Sequence, residues 1–160
     1  MTPAIRVHGP EEAAAAVRAA ADAGTPVLLL SAAAAPAHGG AGWFPAMAAA
    51  AAAAAPQAVA GIAVDCAGRA GDAQAVLAEA APLLRGIIFT GHPAAARALD
   101  ALARARGAAV WTAPPGEVLD LNGMADPHRA DRASLYRAGR ASLYRACRAW
   151  LDAVPETRPA

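Results

Sequence analysis

Pro26-Val27-Leu28-Leu29-Leu30-Ser31 places four large apolar residues in a row between a proline and a serine. A strand with one wet face alternates apolar and polar side chains, whereas a strand covered on both faces reads as an unbroken apolar run. Ile87-Ile88-Phe89, within Gly86 to Thr90, repeats the signature. Working outward, weaker runs occur at Ala4 to His8, Val59 to Asp65 and Ala108 to Thr112, and alanine-rich stretches long enough for helices lie between the runs. Strand and helix therefore alternate, which calls for parallel strands joined by right-handed crossovers.

Punctuation agrees with this division. Pro10 and Pro93 stand where a first helical residue belongs, and Gly24 and Gly107 lie just past the helix ends. Asp72 is placed to cap the helix before Pro82. In the segment from Pro93 to Arg106, Ala95, Leu99, Leu102 and Arg106 fall near one helical face, with Arg97 and Arg104 largely away from it. The units beginning Val7-His8-Gly9-Pro10 and Phe89-Thr90-Gly91-His92-Pro93 echo each other, as a duplicated unit or as two units under the same capping rules. The expected fold is α/β, with about five parallel strands in an open doubly wound sheet. A partial βα barrel is the alternative.

Turn signals at Pro114-Pro115-Gly116 and Asn122-Gly123 flank Val118 to Leu121, a candidate short sixth strand. Asp131 to Leu151 reads as one long helix. It contains Arg-Ala-Ser-Leu-Tyr-Arg-Ala at 132–138 and again at 140–146. An eight-residue period turns about 80° around a helix, so the copies do not share a face. The expected organisation is a core over 1–127 and an arginine-rich helix and tail over 128–160 within the same domain.

Composition limits the chemistry. The 160 residues are 57% hydrophobic and 17% charged, with formal net charge +1, which fits neither a disordered chain nor a nucleic-acid sponge. All 14 basic residues are arginine, so Schiff-base and phosphate-loop lysines are excluded. Cys66 and Cys147 stand far apart with no paired spacing, which excludes the usual structural zinc arrangement. Cys66 reads as a buried small hydrophobe. No apolar stretch is long enough to span a bilayer, and the N-terminus lacks a secretory pattern, so a cytoplasmic protein is expected. G-x-G-x-x-G, G-x-S-x-G and H-E-x-x-H are all missing.

Ligands of parallel sheets bind beyond the carboxyl ends of the strands. That edge gathers His8, Ser31, the loop from Ala32 to Gly42 with His38, Asp65 with Cys66, and Thr90-Gly91-His92. His8, Asp65 and His92 are the candidate catalytic residues, since a carboxylate can orient an imidazole that titrates near neutral pH. The trio could also be pictured around a metal, although no metal is assigned. Gly39, Gly40, Thr90 and Gly91 are the candidate ligand-binding residues. The helix after His92 has no acidic residue in its first turn, which leaves its amides open to an anion. The expectation is a small anionic ligand at this edge, with enzymatic activity left open and no cofactor identified. The alternative is a non-catalytic interaction protein that docks a partner through its arginine-rich C-terminal helix. A homo-oligomer is expected because alanine-rich faces leave apolar surface to cover; nucleic acid and a membrane span are not.

Overall fold

The computed structural model describes residues 2–122 and 132–154, without the side chains of 132–138. The expected helix start at Asp131 and the side chains of the first tandem copy lie outside the described residues, as does the boundary at 127/128. Among the described residues there are six strands: β1 (Ala4–Val7), β2 (Val27–Ser31), β3 (Val59–Asp65), β4 (Leu84–Ile88), β5 (Ala109–Trp111) and β6 (Val118–Asp120). The helices are α1 (Pro10–Ala23), α2 (Ala35–Gly39), α3 (Trp43–Ala52), α4 (Ala70–Ala78), α5 (Pro93–Ala105) and α6 (Arg132–Ala153). All pairings are parallel, in the order β5-β4-β3-β2-β1-β6. The α/β class, the alternation, the sixth strand and the long C-terminal helix match the expectation. Among the described residues no helix is long and apolar enough to cross a membrane.

Strands β1 to β5 advance in one direction, and β6 then returns to the far side of β1. The two sheet faces are filled differently. Ile5, Val7, Leu29, Ile62, Val64, Ile87 and Phe89 pack with buried residues of the helices. Ala4, Leu28, Leu30, Ala63 and Ile88 form a separate cluster with Trp111 and Val118, which among the described residues includes no helical one. The sheet is open, as expected, with β5 and β6 at its edges, and the described helices pack on one of its faces, as they do in a βα barrel.

Chain length explains the shape. Trp111 and Val118 lie at opposite edges of the sheet, seven Cα steps apart, which span at most about 25 Å. Five flat inter-strand spacings need about 24 Å before the link has returned from the carboxyl end of β5 to the amino end of β6. The link is also folded, since the Gly116 N–H donates to the Pro114 carbonyl at 2.9 Å. A flat sheet cannot be connected this way, so the sheet curls and its helix-free face becomes concave. Ala4, Ala63 and Gly86 leave room on that face for Leu28, Leu30, Ile88 and the Trp111 ring, which lies over Gly86.

Local chemistry sets the helix ends. Pro10 and Pro93 open α1 and α5 as expected. Gly24 ends α1 at φ +64°, a left-handed conformation that glycine adopts without steric cost. Two local expectations are corrected. Asp72 is not the cap of α4: Arg69 holds that position and pairs with Asp72 inside the first turn. Leu102 is not buried with Leu99 but is 45% exposed, because α5 turns Leu99 and Ala103 to the core. α6 packs chiefly on α1, burying Leu143, Cys147 and Leu151.

The tight link is testable. Deleting Pro114 and Pro115 leaves a reach of about 18 Å, so β6 should detach, with a lower melting temperature and fast amide exchange at Leu121. Inserting two glycines there should cost under about 1 kcal/mol. Equal effects of deletion and insertion would show that the link does not draw the sheet in.

Candidate functional site

Alternation along β1 turns Ile5 and Val7 to the helices, and so places Arg6 and His8 on the concave side. By the same rule Asp65 ends β3 facing inward, and Asp120 does so on β6, where it sits in register with Arg6. Arg6 Nη1 lies 3.1 Å from Asp65 Oδ2, reaching across β2, and Arg6 Nε lies 3.7 Å from Asp120 Oδ2. His8 Nε2 lies 2.8 Å from Asp120 Oδ1. Four side chains from three strands thus form one chain of polar contacts, Asp65–Arg6–Asp120–His8.

Each end is fixed by backbone. Asp65 Oδ1 accepts the Ala67 N–H at 3.0 Å, and the Asp65 N–H donates to Ser31 Oγ at 2.8 Å. Asp120 Oδ1 also accepts the Asn122 N–H at 2.9 Å. The His8 N–H donates to Glu12 Oε2 at 2.6 Å, which ties the residue to the first turn of α1. Arg6 and Asp65 are largely buried, whereas Asp120 is half exposed and His8 partly exposed. The network therefore runs from the interior to its rim.

Electrostatics follow from those surroundings. Burial acts to raise the Asp120 pKa, but the Asn122 amide, the His8 ring and Arg6 outweigh it and hold the carboxyl below its ordinary value. Burial raises Glu12, opposed by the His8 amide. Burial also pushes Cys66 and Cys147 up to about 12, so neither is a thiolate nucleophile at neutral pH.

The expected residues are placed unevenly. His8 and Asp65 join one network, through Arg6 and Asp120. His92 serves as the N-cap of α5, its Nδ1 accepting the Ala94 N–H at 3.1 Å, so that amide is not open to an anion. Among the described residues no hydrogen bond or ion pair links His92 to the network. Thr90 N–H donates to the Ala67 carbonyl at 2.9 Å, and Gly91 packs on Gly68, where a Cβ would come within 2.9 Å of its carbonyl oxygen. Both residues hold the β3 and β4 loops together. Gly39 and Gly40 end α2 beside Trp43, so the expected open loop contains a helical turn. Among the described residues no three His, Cys, Asp or Glu side chains are placed to hold a metal, and Arg6 occupies the position beside Asp65.

Arg6 and Asp120 were not among the residues expected at the site. Their signal is a lone charge inside an apolar strand, Ala-Ile-Arg-Val and Val-Leu-Asp-Leu. A strand charge pointing inward needs a partner, and each supplies the other's.

No protein-family model matches the chain, and no curated protein matches its sequence significantly.

Two outcomes check this site. Arg6→Met leaves Asp65 without its counter-charge and should destabilise the fold by about 3 kcal/mol, with much of that loss recovered in Arg6→Met/Asp65→Leu. A double variant no more stable than Arg6→Met would refute the pairing. Because Asp120 titrates below its ordinary 3.8, its contribution is present above that pH and lost as pH falls through the folded value. Asp120→Asn should therefore be less stable than the parent at pH 7, by under about 1 kcal/mol given its exposure. The difference should close in acid, as read by urea denaturation across pH.

Proposed function

We propose that the chain binds a small polar molecule at the carboxyl edge of the curled sheet, and that His8 exchanges a proton with it. The observation carrying this reading is the 2.8 Å contact between His8 Nε2 and Asp120 Oδ1 at the rim of the concave face. With a proton on Nε2 donated to Asp120, the Nδ1 lone pair is the ring's basic position. A carboxylate held ionised behind an imidazole fixes its tautomer and stabilises the imidazolium that forms when the ring takes a proton. Asp65 and Arg6 act further in, as positioning residues that set where Asp120 points.

Charge balance shapes the ligand class. Asp65, Asp120 and Glu12 stand against one guanidinium, and Arg6 is already engaged by two carboxylates. An uncharged or cationic ligand, such as a polyol or an amine, suits this rim better than the anion expected from the sequence. The place itself agrees with general behaviour, since β1 and β6 flank the point where the strand order reverses. We also take the protein to be cytoplasmic, where its two buried thiols would stay reduced. We take it to be a homo-oligomer that covers the exposed Leu102; a monomeric mass in light scattering would remove that last element.

The test is a thermal-shift panel of sugars, polyols, amines and inorganic phosphate, followed by titration of the His8 imidazole by NMR. Amines or polyols should stabilise the parent and perturb His8. His8→Gln and Asp120→Asn should lose most of the effect, by about tenfold in affinity or more. Stabilisation by phosphate alone, or variants that bind as well as the parent, would overturn the reading.

A further inference from the structure

On the helical side of the molecule, α1 lies between α3 and α6, with a groove along each flank. The groove toward α6 is a cleft of about 590 Å³ lined by Ala14, Ala15, Arg18, Arg140, Tyr144 and Arg145, among others. Among the described residues its lining holds three arginines and no acidic side chain, with Asp22 adjoining it through Tyr144. Arg18 lies over the Tyr144 ring, 5.2 Å from its centroid, and the Tyr144 hydroxyl donates to Asp22 at 2.8 Å. The ring and the guanidinium are thereby pre-positioned, which lowers the ordering cost of binding. Ala14 also lines the second groove, about 450 Å³, with Pro10, Trp43, Met47 and three alanines of α3. Trp43 in that wall is 43% exposed. A basic strip and an apolar strip thus run side by side, separated only by the small side chains of α1.

We infer that this face docks an amphipathic acidic segment of a partner protein, its carboxylates toward Arg18 and Arg145 and its apolar side chains against Trp43 and Met47. Charge complementarity selects the acidic flank, and the shared Ala14 lets one helix lie across both grooves in the helix-in-groove manner. Nucleic acid fits less well. The Tyr144 face that could stack a base is covered by Arg18, and the basic strip borders an apolar groove where a phosphate backbone would find no partner. The surface is separate from the His8 rim.

The experiment uses the full chain and a fluorescent synthetic peptide of about 16 residues, between four and five helical turns. The peptide carries leucine along one helical face and glutamate elsewhere. Its glutamine counterpart and a single-stranded RNA of similar length serve as competitors. The acidic peptide should bind, weaken with salt, and bind at least about tenfold more tightly than the glutamine version. Arg145→Ala and Trp43→Ala, both at exposed positions, should each weaken it several-fold; Arg145→Lys should retain most of the affinity, and His8→Gln should leave it unchanged. No binding, equal binding of the glutamine peptide, tighter binding of RNA, or indifference to Arg145→Ala and Trp43→Ala would each overturn the inference. So would a self-associated state of the chain that the peptide fails to displace.

Discussion

The short link between β5 and β6 is the constraint from which the other features follow. Strands at opposite edges of a six-stranded sheet cannot be joined by residues 112–117 unless the edges approach. Curling gives the sheet an outer face for the helices and a narrow inner face, where Leu28, Leu30, Ile88 and Trp111 need small neighbours. Alanine at 4 and 63 and glycine at 61 and 86 meet that restriction, and Trp111 fills the space above Gly86. Added bulk there has nowhere to go: a Cβ on Gly86 would meet the Ala109 carbonyl oxygen at 2.6 Å as well as the Trp111 ring. Inside such a space a charged side chain must be paired, and this is the setting that makes Arg6 a hub.

Arg6 divides its donors between two carboxylates, and Asp120 divides its oxygens between two partners. Oδ2 faces Arg6, while Oδ1 accepts from Asn122 and lies against His8. The carboxylate is therefore held from both sides, and the imidazole inherits its orientation from a buried ion pair two links away. A preorganised imidazole at a partly exposed rim differs from a surface histidine in this respect, since its ring does not have to be ordered when a ligand arrives.

Much of this fold is legible in the chain. Continuous apolar runs such as Val27 to Leu30 mark strands buried on both faces, and proline and glycine mark the ends of α1 and α5. The failures share a cause. Whether Leu102 is buried, whether Asp72 caps, and whether 32–42 is open loop all depend on which neighbour lies alongside, and hydrophobic spacing within one segment does not contain that. The site shows the same limit. His8 and Asp65 can be placed on the carboxyl edge from topology alone. The residue joining them, Asp120, arrives from more than a hundred positions away, on a three-residue strand whose pairing with β1 follows from the curl. His92 stands directly before Pro93, at the position Gly9 holds before Pro10, and so caps its own helix.

The two carboxylates beside His8 respond to acid in opposite senses. Glu12 is raised by burial, so its ionised form is penalised in the folded state; that penalty is relieved as pH falls through its folded value toward 4.5. Asp120 is lowered by its partners, so its contribution is kept down to 3.8 and lost below it. On moderate acidification Glu12 takes up its proton first, while Asp120 stays ionised behind the imidazole. The neutral Glu12 carboxyl retains an oxygen able to accept the His8 amide, so the backbone tie survives without its charge. Of the two carboxylates Glu12 thus loses its charge first, and Asp120 remains an ionised partner for the imidazole over the wider range of pH.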